Sequence, residues 1–199
     1  SIDMDAIDWR KQDGLLPAIV QHADTLRVLM QGYMSREALA ATLASGKVTF
    51  FSRSRQRLWT KGETSGNLLQ LVSVQADCDA DSLLVLARPQ GPTCHTGTIS
   101  CFATAPGDAL AELDGVVAQR KAATSETGYT RTLFDAGLAR IAQKVGEEGV
   151  EVALAAVTAD DAGLVGECAD LIYHLIVLLR ARELDWSDVR SELARRARA

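Results

Sequence analysis

The feature that most constrains this chain is a change of texture at Ala103-Thr104-Ala105-Pro106-Gly107-Asp108. A small-residue stretch with a Pro-Gly pair ends one packed unit and begins another. Before it, short β-branched and aromatic runs are separated by turn residues. After it, apolar residues recur at helical spacing almost to the end. A chain divided this way builds neither one continuous sheet nor one bundle. We expect an α+β N-terminal domain with a mainly antiparallel sheet over residues 1–105, and an all-α helical-bundle C-terminal domain over 106–199.

Local signals fill in the elements. Val28-Leu29-Met30 opens an apolar run leading to Tyr33-Met34. Ser35 then caps a helix from Arg36 to Leu43 that Gly46 stops. Strands are expected at Val48–Phe51, Leu68–Ala76 and Ser82–Ala87, with a polar connection from Ser52 to Asn67. Beyond the hinge, Asp108 caps a helix to about Ala122, and Thr124 to Thr130 reads as a loop. One long helix follows from Thr132 to about Val157, then helices begin at Asp160 or Asp161 and at Asp185-Trp186-Ser187. Neither regular strand–helix alternation nor a Gly-rich nucleotide fingerprint is present, which excludes a parallel doubly wound sheet.

Composition narrows the function. At 47% hydrophobic, 24% charged and a net charge of -5, the chain reads as an ordinary folded protein without a nucleic-acid-coating surface. The acidic start lacks a signal-like apolar region, and Leu175–Leu179 is too short to span a bilayer, so a cytoplasmic protein without membrane attachment is expected. The four cysteines then point to metal binding more than to disulfides.

Asp77-Cys78-Asp79-Ala80-Asp81, read as a strand, puts three carboxylates on one face and Cys78 on the other. Such a face either holds a hard cation such as Mg²⁺ or is a solvated acidic edge. Cys94 and Cys101, seven apart on a turn-rich segment, join Cys78 as three candidate thiolates. Three ligands with a fourth position open to water describe a catalytic zinc site, whereas unligated cysteines pack as small hydrophobes, as Cys168 is expected to do. His95 is a fourth ligand, a general base or a hydrogen-bonded polar residue. Arg53, Ser54, Arg55, Trp59, Lys61, Ser65 and Gly66 offer the cations, hydroxyls and glycine of a phosphate pocket, with Trp59 able to stack on a base; alone, such a loop is also just a solvated one.

In the second half, Glu148 lies roughly 60° and Glu151 roughly 120° from an apolar stripe centred on Val145. The next helix is apolar nearly all round and should be buried, yet Glu167, Asp170 and His174 share one stripe of it. Buried acids need partners or a metal. Two helices each offering acids at i and i+3 form a Mg²⁺ cage suited to phosphoanhydride hydrolysis, unless the acids are simply paired with Lys144 or Arg140. Glu147 fits the paired alternative best.

These residues resemble a known family over nearly the whole chain: the bifunctional phosphoribosyl-AMP cyclohydrolase / phosphoribosyl-ATP pyrophosphohydrolases of histidine biosynthesis. In the first half the resemblance rests on Val28–Met30, Tyr33-Met34, Phe51–Arg55, Leu58–Gly66, Asp77–Asp81, Cys94–Gly97 and Ser100–Phe102. In the second it rests on Tyr129-Thr130, Lys144–Glu151 and Glu167–His174. His22 and Ser35 depart from the family's more usual Asp and Asn. The resemblance implies that Glu148, Glu151, Glu167 and Asp170 hold Mg²⁺ for release of pyrophosphate, with Glu148 catalytic and Lys144 and His174 near the substrate. It implies zinc on Cys78, Cys94 and Cys101 for opening the adenine ring, with His95 moving the proton and Mg²⁺ on Asp77, Asp79 and Asp81. It further implies small-molecule nucleotide substrates and a homodimer whose zinc ligands come from both subunits.

Two other readings are weaker. A zinc nucleobase deaminase would carry His-x-Glu and Pro-Cys-x-x-Cys, and neither occurs. A non-enzymatic zinc module fused to a helical dimerisation domain leaves the acids of an apolar helix without a purpose.

Overall fold

Alternation of side chains along its strands gives the first half its layers. The computed structural model describes residues 2–11, 13–123 and 127–198. The chain divides into two compact units, Ser1–Asp108 and Ala109–Ala199. Strands β1 (Leu16–His22), β2 (Val28–Met34), β5 (Leu69–Ala76) and β6 (Leu83–Pro89) form a four-stranded sheet in the order β2-β1-β6-β5. The β1–β2 and β5–β6 pairs are antiparallel and the central β1–β6 pair is parallel. Leu16, Ala18 and Val20 of β1 face the core, as do Leu83, Val85 and Ala87 of β6, while Ile19 points out. Strands β3 (Thr49–Ser52) and β4 (Arg57–Thr60) form a separate antiparallel ribbon.

Helix α1 (Arg36–Ser45) is terminated as its sequence dictates. The Ser35 hydroxyl accepts from the Ala38 N–H, and Gly46 closes the end in the left-handed region. Ala38 and Leu39 bury beside Phe50, Leu29 and Met34. Thr42 is buried without penalty because its hydroxyl donates to the Ala38 carbonyl and accepts from the Thr49 N–H.

The second unit contains α2 (Ala109–Ala122), α3 (Tyr129–Ala136), α4 (Leu138–Thr158), α5 (Asp161–Ala181) and α6 (Trp186–Arg196). Its core gathers Val117, Leu133, Ile141, Ile176 and Val177. Asp160 and Asp185 cap α5 and α6, the latter with a full capping box. Asp114, 5% exposed, accepts from Arg180 Nε at 2.6 Å and from the Trp186 N–H at 3.3 Å, tying α2 to α5 and to the start of α6.

Several sequence expectations change. The Ser52–Asn67 connection contains β4, and β1 was not anticipated, because Pro17 and the polar Gln21 and His22 blur its alternation. The expected long helix is two, since Gly137 (φ 84°) breaks it. Tyr129 and Thr130 begin α3 instead of ending a loop, and residues 124–126 of that loop lie outside the described residues. Helix α5 has the length and apolarity of a membrane span, but it is not buried all round in a single chain: Val165 is 67% exposed.

Candidate functional sites

The aspartate segment is a turn. Strand β5 ends at Ala76, and the Asp77 carboxylate accepts the Asp81 and Ser82 N–H groups, with Ala80 at a positive φ of 59°. The expected one-sided strand is therefore corrected: the turn, not strand alternation, brings the side chains together. One oxygen from each of Asp77, Asp79 and Asp81 lies within 4.8 Å of the others. Lys11 reaches this group from the N-terminal segment, its Nζ 2.8 Å from Asp79 and 3.4 Å from Asp81. That hydrogen bond holds the Asp79 carboxyl below the usual carboxylate range. An ammonium group thus stands where three carboxylates call for positive charge.

The cysteine loop follows β6 and is fastened to β2. The Cys101 N–H donates to the Leu29 carbonyl at 2.8 Å and the Ser100 hydroxyl to that of Val28 at 2.7 Å. The Thr96 hydroxyl donates to Cys94 Sγ at 3.1 Å, and this bond leads the causes that lower the Cys94 thiol to about 6. Cys101 is pushed upward, first by burial and then by the charge of Cys94 beside it. His95 Nδ1 lies 3.9 Å from Cys94 Sγ. Cys78 is exposed on the aspartate turn, and among the described residues no three-ligand group includes a cysteine. One chain brings two of the three expected thiols together.

The ribbon β3–β4 and the loop after it enclose the expected phosphate residues. Arg55, Trp59, Lys61 and Ser65 line a cavity of about 440 Å³ together with Ser52 and Thr60. Arg53, Ser54 and Trp59 line a neighbouring one of about 390 Å³, where the Arg53 guanidinium stacks 3.9 Å from the Tyr33 ring. Gly66 lines neither. Gly62 is demanded by the turn: its φ is 84°, and a Cβ there would lie 2.2 Å from the Asn67 carbonyl oxygen.

In the helical unit, carboxylate oxygens of Glu148, Glu151 and Glu167 lie within 4.8 Å of one another, drawn from α4 and α5. The carboxylate of Asp170 is outside this trio; its backbone carbonyl instead accepts from His174 Nδ1 at 2.9 Å. Lys144 Nζ sits 2.7 Å from Glu148, and this bond keeps the Glu148 carboxyl ionised below its ordinary range. Glu151 moves the other way, pushed up by Glu148, then by burial and by Glu167. Glu147 pairs with Arg140 and Lys144. His174 is 4% exposed, with Nδ1 2.9 Å from the Asp170 carbonyl and 3.5 Å from Glu148, and Nε2 2.9 Å from the Tyr129 hydroxyl, so it braces Glu148 from α5.

Two family models match in tandem: phosphoribosyl-AMP cyclohydrolase over residues 30–103 and phosphoribosyl-ATP pyrophosphohydrolase over 110–197. Relatives named histidine biosynthesis bifunctional protein HisIE match along nearly their full length. The chain is 64% identical to that of Xanthomonas campestris, over 93% of this chain and 90% of the relative. It is 61% identical to that of Xylella fastidiosa, over 96% and 93%, and 58% identical to that of Escherichia coli K12, over 96% and 95%. The chain belongs to the bifunctional HisIE family.

As a HisIE protein it hydrolyses phosphoribosyl-ATP to phosphoribosyl-AMP and pyrophosphate, then opens the adenine ring of phosphoribosyl-AMP, the second and third steps of histidine biosynthesis. The aspartate turn, the cysteine loop and the two cavities beside the β3–β4 ribbon fall in the cyclohydrolase match, and the glutamate trio falls in the pyrophosphohydrolase match. Lys11 lies 68 positions from its Asp79 partner and carries no local signal in the sequence. The contact with His174 gives Tyr129 of the Tyr129-Thr130 motif a structural role.

Proposed function

We propose that the second unit performs pyrophosphate release with Mg²⁺ held by Glu148, Glu151 and Glu167, with Asp170 adjoining, and that the first performs ring opening with zinc on Cys78, Cys94 and Cys101 and Mg²⁺ on Asp77, Asp79 and Asp81. The observation that carries this reading is the convergence of three carboxylates from two helices, one of them driven toward protonation by its neighbours. Lys144 brings one positive charge to three carboxylates, and a hard cation would balance the rest. When bound, Mg²⁺ neutralises phosphate charge, and zinc provides the Lewis acidity that makes water a competent nucleophile near neutral pH.

The chain's own groups do the rest. Lys144 and His174 fix the orientation and charge of Glu148, the catalytic carboxylate. Cys94 is a thiolate at neutral pH before any ion arrives, with Thr96 donating to it. His95, beside Cys94, carries the proton of the ring-opening step. Arg53, Ser54, Arg55, Lys61, Ser65 and Gly66 hold the phosphates of phosphoribosyl-AMP, and Trp59 stacks on its base. A cation held by Asp77, Asp79 and Asp81 would take the place of the Lys11 ammonium now paired with Asp79 and Asp81.

The functional form is a cytoplasmic homodimer in which the partner's thiol completes the zinc site. The separation of Cys78 from the Cys94–Cys101 pair supports this, as do Val150, Leu154, Val157 and Val165, exposed along α4 and α5. The test is anaerobic turnover of phosphoribosyl-ATP with products resolved by mass and metals counted in the same sample. With zinc stripped and Mg²⁺ in excess, phosphoribosyl-AMP and pyrophosphate should accumulate. Ring-opened product from zinc-free protein would end this assignment.

A further inference from the structure

A cavity of about 320 Å³ opens at the start of α3, lined by Arg120, Thr127, Gly128, Tyr129, Thr130 and Arg131. Neither the expected metal sites nor the expected phosphate residues include it. Its character is cationic: two guanidinium groups, one from α2 and one from α3, meet hydroxyls and backbone N–H groups. Arg131 is already paired with Asp135 at 2.7 Å. Arg120 is not paired with a carboxylate among the described residues; its one hydrogen bond there is to the Thr130 hydroxyl at 3.3 Å. That hydroxyl is fixed in turn, 2.7 Å from the Tyr173 hydroxyl, with Thr130 2% exposed. Gly128 occupies the capping position and has no side chain to accept the first N–H groups of α3.

The cavity is also wired to the reaction centre. Tyr129, one of its walls, bonds through its hydroxyl to His174, which stands 3.5 Å from Glu148. A ligand spanning both places would touch the glutamate trio with one end and the arginines with the other.

Phosphoribosyl-ATP has that shape. It is ATP with a second ribose on the base, and the second ribose ends in a phosphate monoester. Its triphosphate is the part cleaved, so it belongs at the carboxylate trio. The phosphoribosyl arm distinguishes it from ATP, and an acidic trio cannot recognise the phosphate on that arm. We infer that the Arg120–Arg131 cavity is the subsite for the phosphate of the second ribose, and that it sets selectivity for phosphoribosyl-ATP over ATP. This rests on the assignment of pyrophosphate release to the glutamate trio.

The probe is ribose 5-phosphate, which carries the arm without the triphosphate. It should bind the wild-type protein and inhibit pyrophosphate release. Arg120→Gln should abolish that binding in titration calorimetry and raise KM for phosphoribosyl-ATP about 10- to 100-fold, with kcat held within a few-fold, as loss of a charge-assisted hydrogen bond predicts. Pyrophosphate inhibition, which reads the other end, should be unchanged. Retained cyclohydrolysis of added phosphoribosyl-AMP, together with an unchanged helical signal in circular dichroism, certifies folding. If the second unit is destabilised, Arg120→Lys should restore ribose 5-phosphate binding in part. An unchanged KM in Arg120→Gln overturns the subsite. So does a variant that loses pyrophosphate inhibition while keeping ribose 5-phosphate binding, for the cavity would then hold the triphosphate end. Failure of the trio assignment looks different: Glu148→Gln would stay active while ribose 5-phosphate still bound.

Discussion

The Lys11 ammonium lies 2.8 Å from the Asp79 carboxylate and also within 3.4 Å of Asp81, filling the group of acids proposed to hold a divalent cation. The protein therefore carries its own counter-ion there. Because the pair is solvent-exposed, its net worth is small, and displacement should be easy. Lys11→Met should tighten Mn²⁺ binding at this turn by up to about fivefold, read by electron paramagnetic resonance titration. Weaker binding in the variant would mean that Lys11 supports the turn and does not compete for it.

The two activities should part cleanly under mutation. Glu148→Gln removes the carboxylate that Lys144 and His174 hold in place, and should lower phosphoribosyl-ATP pyrophosphohydrolysis by about 100-fold or more. Cyclohydrolysis of added phosphoribosyl-AMP should persist. Cys101→Ser should do the reverse. A folded Glu148→Gln protein lacking both activities would show that the sites are not independent.

Cys94 gives a pH signature in the metal-stripped protein. A thiol lowered to about 6 is mostly thiolate above that pH and mostly protonated below it. Iodoacetamide labelling, mapped by peptide mass, should rise at Cys94 with a midpoint near pH 6, while Cys101, pushed upward, lags into alkaline solution. Thr96→Val removes the leading cause of the shift and should move the Cys94 midpoint upward. An unmoved midpoint would exclude the Thr96 hydroxyl as the cause.

The Asp114–Arg180 pair should matter to stability. Asp114 is buried, so Asp114→Ala strands a guanidinium that is itself only 26% exposed. A cost of about 2–4 kcal/mol follows, after allowing for that residual solvent contact. Calorimetry should show the helical unit's transition lowered and that of the first unit unmoved.

How much of this was legible in the sequence depends on the range of each signal. Ser35, Gly46, Asp160 and Asp185 mark helix ends by chemistry local to the backbone, and they sit where expected. The strand-rich first half and helical second half were equally plain. Gly137 was readable as a breaker but was overridden by the apolar period running through it. For the aspartates, mutual repulsion is legible in the sequence but the geometry is not: alternation over five residues predicts a strand, whereas the side chain of Asp77 satisfies the N–H groups of a turn. Lys11, Arg120 and the brace on His174 are contacts between distant segments, and no periodicity announces them.

The parallel pairing of β1 with β6 has a consequence during synthesis. Residues Leu16–His22 lie between β2 and β6, yet β6 leaves the ribosome only after Pro89 has been added. Until then the β1 edge, carrying the buried set Leu16, Ala18 and Val20, has a hydrogen-bonding partner on one side alone. A nascent chain stalled before Leu83 is therefore a half-sheet with an open, apolar edge, prone to capture by another such chain. Release past Pro89 closes that edge, while the helical unit, built largely from neighbouring segments, forms as it emerges.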